Sequence, residues 1–151
     1  MKRKALHVVA ALLLVLSCSE PYPGVGGAWR YASTLTYPTD FDFSPGQPYV
    51  CNFSGALTLR QSSGVFDGTY DSLAISCNSG SLTSGFNGTV INGSLSRSGI
   101  ISFGLDTPSW LSVGTLHGDS MGGSVTDSVS GLSGMELASG TWKACKGRVC
   151  K

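Results

Sequence analysis

Phe66-Asp67-Gly68-Thr69-Tyr70 carries the pattern that decides the fold: apolar residue, any residue, glycine, any residue, apolar residue. The form returns as Val25-Gly-Gly-Ala-Trp29, Phe53-Ser-Gly-Ala-Leu57, Phe86-Asn-Gly-Thr-Val90, Ile91-Asn-Gly-Ser-Leu95, Met121-Gly-Gly-Ser-Val125 and Ala138-Ser-Gly-Thr-Trp142. Positions i, i+2 and i+4 of a strand lie on one face, so each copy predicts an inner row with glycine at its middle. The intervening residues are mostly small and polar, as a wetted outer face requires. Glycine inside the row leaves room where a strongly curved sheet crowds its interior, and it lets the strand bend.

Turn signals punctuate these rows at Ser62-Ser63-Gly64, Cys77-Asn78-Ser79-Gly80, Ser98-Gly99, Thr107-Pro108 and Gly118-Asp119. The predicted strands are 27–37, 49–61, 65–75, 84–96, 100–106, 109–117, 120–126 and 137–145. Asn92-Gly93 is a strong hairpin signal, so 84–96 reads as one strand or as two short ones. Pro38, Pro45 and Pro48 keep 38–48 out of any central strand. No window carries a 3.6-residue apolar stripe of useful length. Consecutive strands joined by tight turns form an antiparallel meander, and about eight can close into a barrel that leaves no edge. The expectation is an all-β, single antiparallel up-and-down β-barrel. Trp29 and Trp142 would then lie on first and last strands that pair to close it.

A turn centred on Ser62-Ser63-Gly64 sets a register in which Cys51 faces residue 75 or 76. A bulge in that hairpin would bring Cys51 to Cys77. Cys145 would join Cys150 by elimination. Four cysteines allow three pairings, and this one suits the register.

The chain opens on Met1-Lys2-Arg3-Lys4, followed by an apolar stretch from Ala5 to Leu16 broken only by His7. Those 12 residues are too few to span a bilayer, which takes roughly 20. Val15-Leu16-Ser17-Cys18 resembles the lipobox of bacterial lipoproteins. The resemblance implies cleavage before Cys18 and lipidation of its sulfur, with membrane attachment through that N-terminal lipid. It also leaves Cys51, Cys77, Cys145 and Cys150 as an even set. Ser19, rather than aspartate, favours the outer membrane, with the domain facing the periplasm or the cell surface. The expected organisation is a signal peptide at 1–17, a lipid-anchored tether at 18–26 and a barrel domain at 27–151.

Beyond residue 17 the chain keeps seven Lys/Arg against nine Asp/Glu, a net charge of about −2. No basic run offers a footprint for nucleic acid. Gly (21 residues) and Ser (24) are abundant, which alone suggests a linker. Three Trp, five Tyr and six Phe, spaced among β-branched residues, argue instead for a folded domain.

Catalytic chemistry finds little support. His117-Gly118-Asp119-Ser120 brings three familiar residue types together, and Gly118-Asp-Ser120 resembles the nucleophile segment of trypsin-like proteases. A triad needs its base from a separate segment, yet His117 is the one histidine after the signal. The expectation is a hairpin turn, and no enzyme. One histidine and paired cysteines make no zinc set, and Asp40-Phe-Asp42 lacks the alternating ligands of a calcium loop. No cofactor or metal is expected.

Gly64-Val-Phe-Asp-Gly-Thr-Tyr70-Asp-Ser72 resembles the Gly-x-Φ-x-Gly-Thr-Tyr-x-Ser hairpin of avidins, eight-stranded barrels that bind biotin. The resemblance covers about nine residues and implies a ligand-binding pair at Tyr70 and Ser72. A lipocalin- or avidin-like barrel with an open mouth would hold a small apolar ligand, lined by Tyr70, Ser72, Phe103 and Trp110. Leu116-His-Gly-Asp-Ser-Met-Gly-Gly-Ser-Val125 and Ser139-Gly-Thr-Trp-Lys-Ala144 are similar to small outer-membrane lipoproteins of environmental bacteria, a group with no agreed activity. Tyr49-Val-Cys51 faintly resembles the opening of periplasmic lysozyme inhibitors, whose inhibitory loop this chain lacks. The alternative function is therefore a structural or protein-interaction lipoprotein with a filled barrel, its partner an envelope protein. Tyr37, Phe41, Phe43 and Tyr49 around 38–48 would serve either as a contact surface or as a cap on the barrel.

Overall fold

The computed structural model describes residues 21–38, 48–78, 80–131, 134–147 and 150, without the side chains of 80–84, 107–108 and 130–131. Cys18, Phe41 and Phe43 lie outside the described residues. Eight strands follow one another: β1 (Gly27–Tyr37), β2 (Tyr49–Ser62), β3 (Val65–Cys77), β4 (Gly80–Leu95), β5 (Ile100–Leu105), β6 (Thr107–His117), β7 (Ser120–Gly131) and β8 (Gly134–Cys145). Each pairs antiparallel with the next, and β1 pairs with β8 from Arg30↔Cys145 to Thr36↔Ser139, closing an up-and-down barrel. Trp29 and Trp142 stand on the closing strands, as expected.

The bounds shift by one or two residues at several strands, with β6 starting at Thr107 where a turn was expected, and by more in β4, β7 and β8. The segment 80–95 is one strand, because Asn92 makes a bulge (φ 54°) inside β4 rather than a hairpin turn. β7 and β8 run on to Gly131↔Gly134. Beyond Asp127 and Ala138 they pair only with each other, so this ribbon projects past its neighbours.

The cysteine register follows the predicted route. Ser62↔Val65 through Ala56↔Asp71 hold one register, and a shift between Ser54 and Ala56 moves the rest by one residue, placing Cys51 opposite Cys77. The disulfides are Cys51–Cys77 and Cys145–Cys150.

The glycines of the repeated rows let aromatic rings cross neighbouring strands. Phe66 pairs with Gly93, and a Cβ there would strike the Phe66 ring. Trp142 pairs with Gly123 and lies over Gly114, and a Cβ at Gly140 would drive into the Thr34 carbonyl oxygen. Large rings thus sit where the adjacent strand has no side chain, which fills a curved interior without overpacking.

Trp29, Tyr31, Leu35, Leu57, Ile101, Phe103, Val90 and Val125 are each at most 2% exposed. Phe103 packs edge-on against Trp142 (5.0 Å between ring centroids), Phe66 (6.1 Å) and Tyr31 (6.4 Å). Phe86, an apolar end of one repeated row, does not join them: it is 43% exposed, at irregular pairing between β3 and β4. Most outward rows are polar, for example Asn52, Ser54, Thr58 and Arg60 on β2, while β6 turns Leu111 and Val113 outward. A barrel that crosses a membrane with its strands needs the opposite, an apolar outer band.

The segment 21–26, expected as part of the tether, packs on the barrel. Val25 is fully buried, its carbonyl accepts from Trp29 Nε1 (2.7 Å), and its N–H donates to Gln61 Oε1 (2.6 Å).

Candidate functional site

Tyr70 and Ser72 were expected on one inner face. The structure separates them. Pairing between β3 and β4 shifts between Tyr70 and Leu73, so both of those residues point inward and Ser72 is carried outside at φ 54°. Its N–H donates to Asn87 Oδ1 at 2.9 Å. Tyr70 lies opposite Gly88, and its hydroxyl reaches across to donate to the Asp106 carboxylate. A Cβ at Gly88 would meet that carboxylate, so the bare glycine is what permits the crossing.

Asp106 stands between β5 and β6 at φ 55°, a conformation that aspartate tolerates better than most residues. Its Oδ1 also accepts from the Thr89 backbone N–H (2.7 Å) and hydroxyl (3.2 Å). Burial works against its charge, but the Thr89 N–H and the two hydroxyls outweigh it and hold the carboxyl below its ordinary range. Burial, then the bond to Asp106 and its charge, push Tyr70 up to about 12. The sequence reading missed Asp106: its one signal was an acidic residue directly before Thr107-Pro108.

Phe103 and Trp110 both face inward, and neither lines an opening. Phe103 is fully buried; Trp110 packs against Phe53 at 5.1 Å and donates Nε1–H to Ser112 Oγ at 3.3 Å. Beside them lies a polar island of Tyr31, Ser33 and Ser112, none more than 5% exposed. Burial pushes Tyr31 up to about 12, against smaller opposing effects of Ser33, Ser112 and Trp110. The Tyr31 hydroxyl and Ser33 Oγ complete no well-shaped hydrogen bond. Tyr31-x-Ser33 and Trp110-x-Ser112 are inward i, i+2 pairs, which was the available signal for this island.

Two larger clefts open on the outer surface. The first, about 590 Å³, is lined by Ala28, Arg30, Ser54, Ala56, Ser72 and Ala74 around Gly55. Small outward residues hollow it, and the bare Gly55 lets the β3 bulge come close, since a Cβ there would press on the Asp71 carbonyl oxygen and Leu73 Cα. The second, about 300 Å³, lies among Thr115, His117, Ser120, Lys143 and Cys150. There Ser120 Oγ donates to the His117 backbone carbonyl at 3.0 Å, closing the β6–β7 turn with Gly118 at φ 57°. Among the described residues no group of three His, Cys, Asp or Glu is placed to hold a metal ion.

Comparison with family models, curated proteins and solved structures gave no match to this chain. What the structure shows is the expected architecture, eight antiparallel strands closed in sequence order.

Proposed function

We propose that this chain is a lipid-anchored envelope protein, tethered through Cys18 to a bacterial outer membrane, that acts from its outer surface as a structural or protein-interaction module. The observation that carries this reading is the packing of the interior. Tyr31, Phe66 and Trp142 pack around Phe103 there, and Trp29 is buried in the same core, whereas a small-molecule site commonly takes about 300 Å³ or more. The cleft of about 590 Å³ over Gly55 lies outside, lined by small side chains and Arg30. The polar outward rows suit a domain held at the membrane by lipid rather than by its strands.

The alternative, carriage of a small apolar ligand near Tyr70, Phe103 and Trp110, needs those rings to part. A fluorescent fatty-acid titration separates the two readings. The interaction reading expects no saturable one-to-one uptake by the native barrel, and stoichiometric uptake that quenches tryptophan emission would overturn it. Anchoring has its own test, incorporation of labelled fatty acid into the full chain expressed in bacteria, lost in Cys18→Ser.

A further inference from the structure

Basic and acidic side chains are segregated along the barrel axis. Antiparallel order puts the start of β1, the end of β8 and the turns β2–β3, β4–β5 and β6–β7 at one end. Every described Lys and Arg lies in that half: Arg30, Arg60, Arg97, Lys143 and Lys146, against Asp67 and Asp119, with Asp71 at mid-height on β3, level with Arg30. Asp67 is held by Arg60 at 2.9 Å. The far end carries Asp106, Asp127 and Glu136, with no described cation.

Exposed apolar side chains accompany the cations at the basic end. Val65 is 60% exposed and Ile100 55%, each at the base of a turn, and Tyr22 is 37% exposed. Arg97 stands over the Tyr22 ring (5.4 Å) and Lys146 over the Trp29 ring (4.8 Å), which fixes cations around this rim. Residues 21–26 are bound to the same end, through Gln61 Nε2 to the Pro23 carbonyl (2.9 Å) and Tyr22 beside Gly64. Two residues, Ser19 and Glu20, separate Pro21 from Cys18, and the three Cα steps reach at most about 10 Å.

We propose that the basic end of the barrel docks on an anionic lipid surface. Arg97, Lys146 and their neighbours would meet headgroup charge, Val65 and Ile100 would enter the interface, and the acidic end would face away. The inference builds on anchoring through Cys18, which would hold this end close to the bilayer, but the docking itself needs no lipid on the protein. Basic residues beside apolar ones suit an interfacial contact, and an anionic surface both attracts the basic end and repels the acidic one.

The test uses residues 19–151, which include the whole barrel, both disulfides and the docked 21–26 segment. Co-sedimentation is measured with vesicles of phosphatidylcholine alone and with about a third phosphatidylglycerol, at millimolar lipid. Binding is expected with the anionic vesicles only and is expected to fall with salt. Arg97→Gln should weaken it about fivefold, and Val65→Ser with Ile100→Ser should weaken it further. Leu137→Ser, an exposed site on the projecting ribbon, should leave it unchanged. Equal binding to neutral vesicles, no binding to anionic ones, or an equal loss in Leu137→Ser would overturn the proposal. Fatty-acid labelling of the full chain reports on anchoring independently, so failure of one reading is not mistaken for failure of the other.

Discussion

Phe103→Ala tests the filled interior most severely. Phe103 is fully buried, with Trp142, Phe66 and Tyr31 packed against its ring at 5.0, 6.1 and 6.4 Å. Truncating a core phenylalanine costs about 3–5 kcal/mol, because the cavity term adds to lost transfer energy. Three aromatic partners on β1, β3 and β8 place this site near the upper half of that range. The surrounding strands belong to a closed barrel and cannot collapse freely onto the gap. We therefore expect a loss of about 4 kcal/mol, a large share of the 5–15 kcal/mol that holds an ordinary domain together. At about 3–4 °C per kcal/mol for a domain of this size, the melting temperature falls by roughly 12–16 °C. Urea unfolding followed by tryptophan emission and far-UV circular dichroism gives the value. A loss under about 1.5 kcal/mol would mean that Phe103 borders open space, and the reasoning would fail.

Three further outcomes follow from particular contacts. Removing Cys51–Cys77, whose partners are 26 residues apart, should cost about 3.5 kcal/mol from loop entropy, and removing Cys145–Cys150, 5 apart, about 2 kcal/mol; a reversed order in urea titrations of the two double serine variants would refute this. Ser72→Gly should stabilise the barrel by roughly 0.5–1 kcal/mol, by relieving a left-handed backbone in an outward residue; a lower urea midpoint would show that the serine side chain supports the bulge. Tyr31, Tyr37 and Tyr70 are each raised to about 12, by burial first and, for Tyr37, also by Asp127 and Tyr49. The unfolded chain loses those protons near pH 10, so stability is complete below pH 10 and declines as pH rises through 12. Absorbance at 295 nm should show a late phase near pH 12 that shrinks in Tyr70→Phe, and its absence would contradict the burial described.

The fold was legible because its signal is periodic. Alternation at two residues around glycine marks the inner face, and the seven rows fall on six of the eight strands, with none on β5 or β6. The Cys51–Cys77 pairing was legible through arithmetic on a single turn, provided one bulge intervened, and the extra residue on β3 around Ser72, opposite Gly55, supplies it. The candidate site was less legible for the same reason that bulges matter. A period of two puts Tyr70 and Ser72 on one face, but one extra residue in β3 turns Ser72 outward. Nothing local in Tyr70-Asp71-Ser72-Leu73 announces that slip. It arises from how β3 meets Gly88 and Phe86 on β4. Asp106 was hidden likewise, since its partners Tyr70 and Thr89 come from other strands. The outer cleft needs three adjacent strands of small residues, a juxtaposition that only the register reveals.

The central claim is that this barrel works from its surface because its interior is occupied. A crystal of residues 19–151 under xenon pressure tests it directly, since xenon enters apolar cavities that exclude water. The account predicts no xenon within the ring of Trp29, Tyr31, Phe66, Phe103 and Trp142 in the native protein, and a site at that position in Phe103→Ala. A well-occupied xenon site inside the native barrel would contradict it and return the search to a carried ligand.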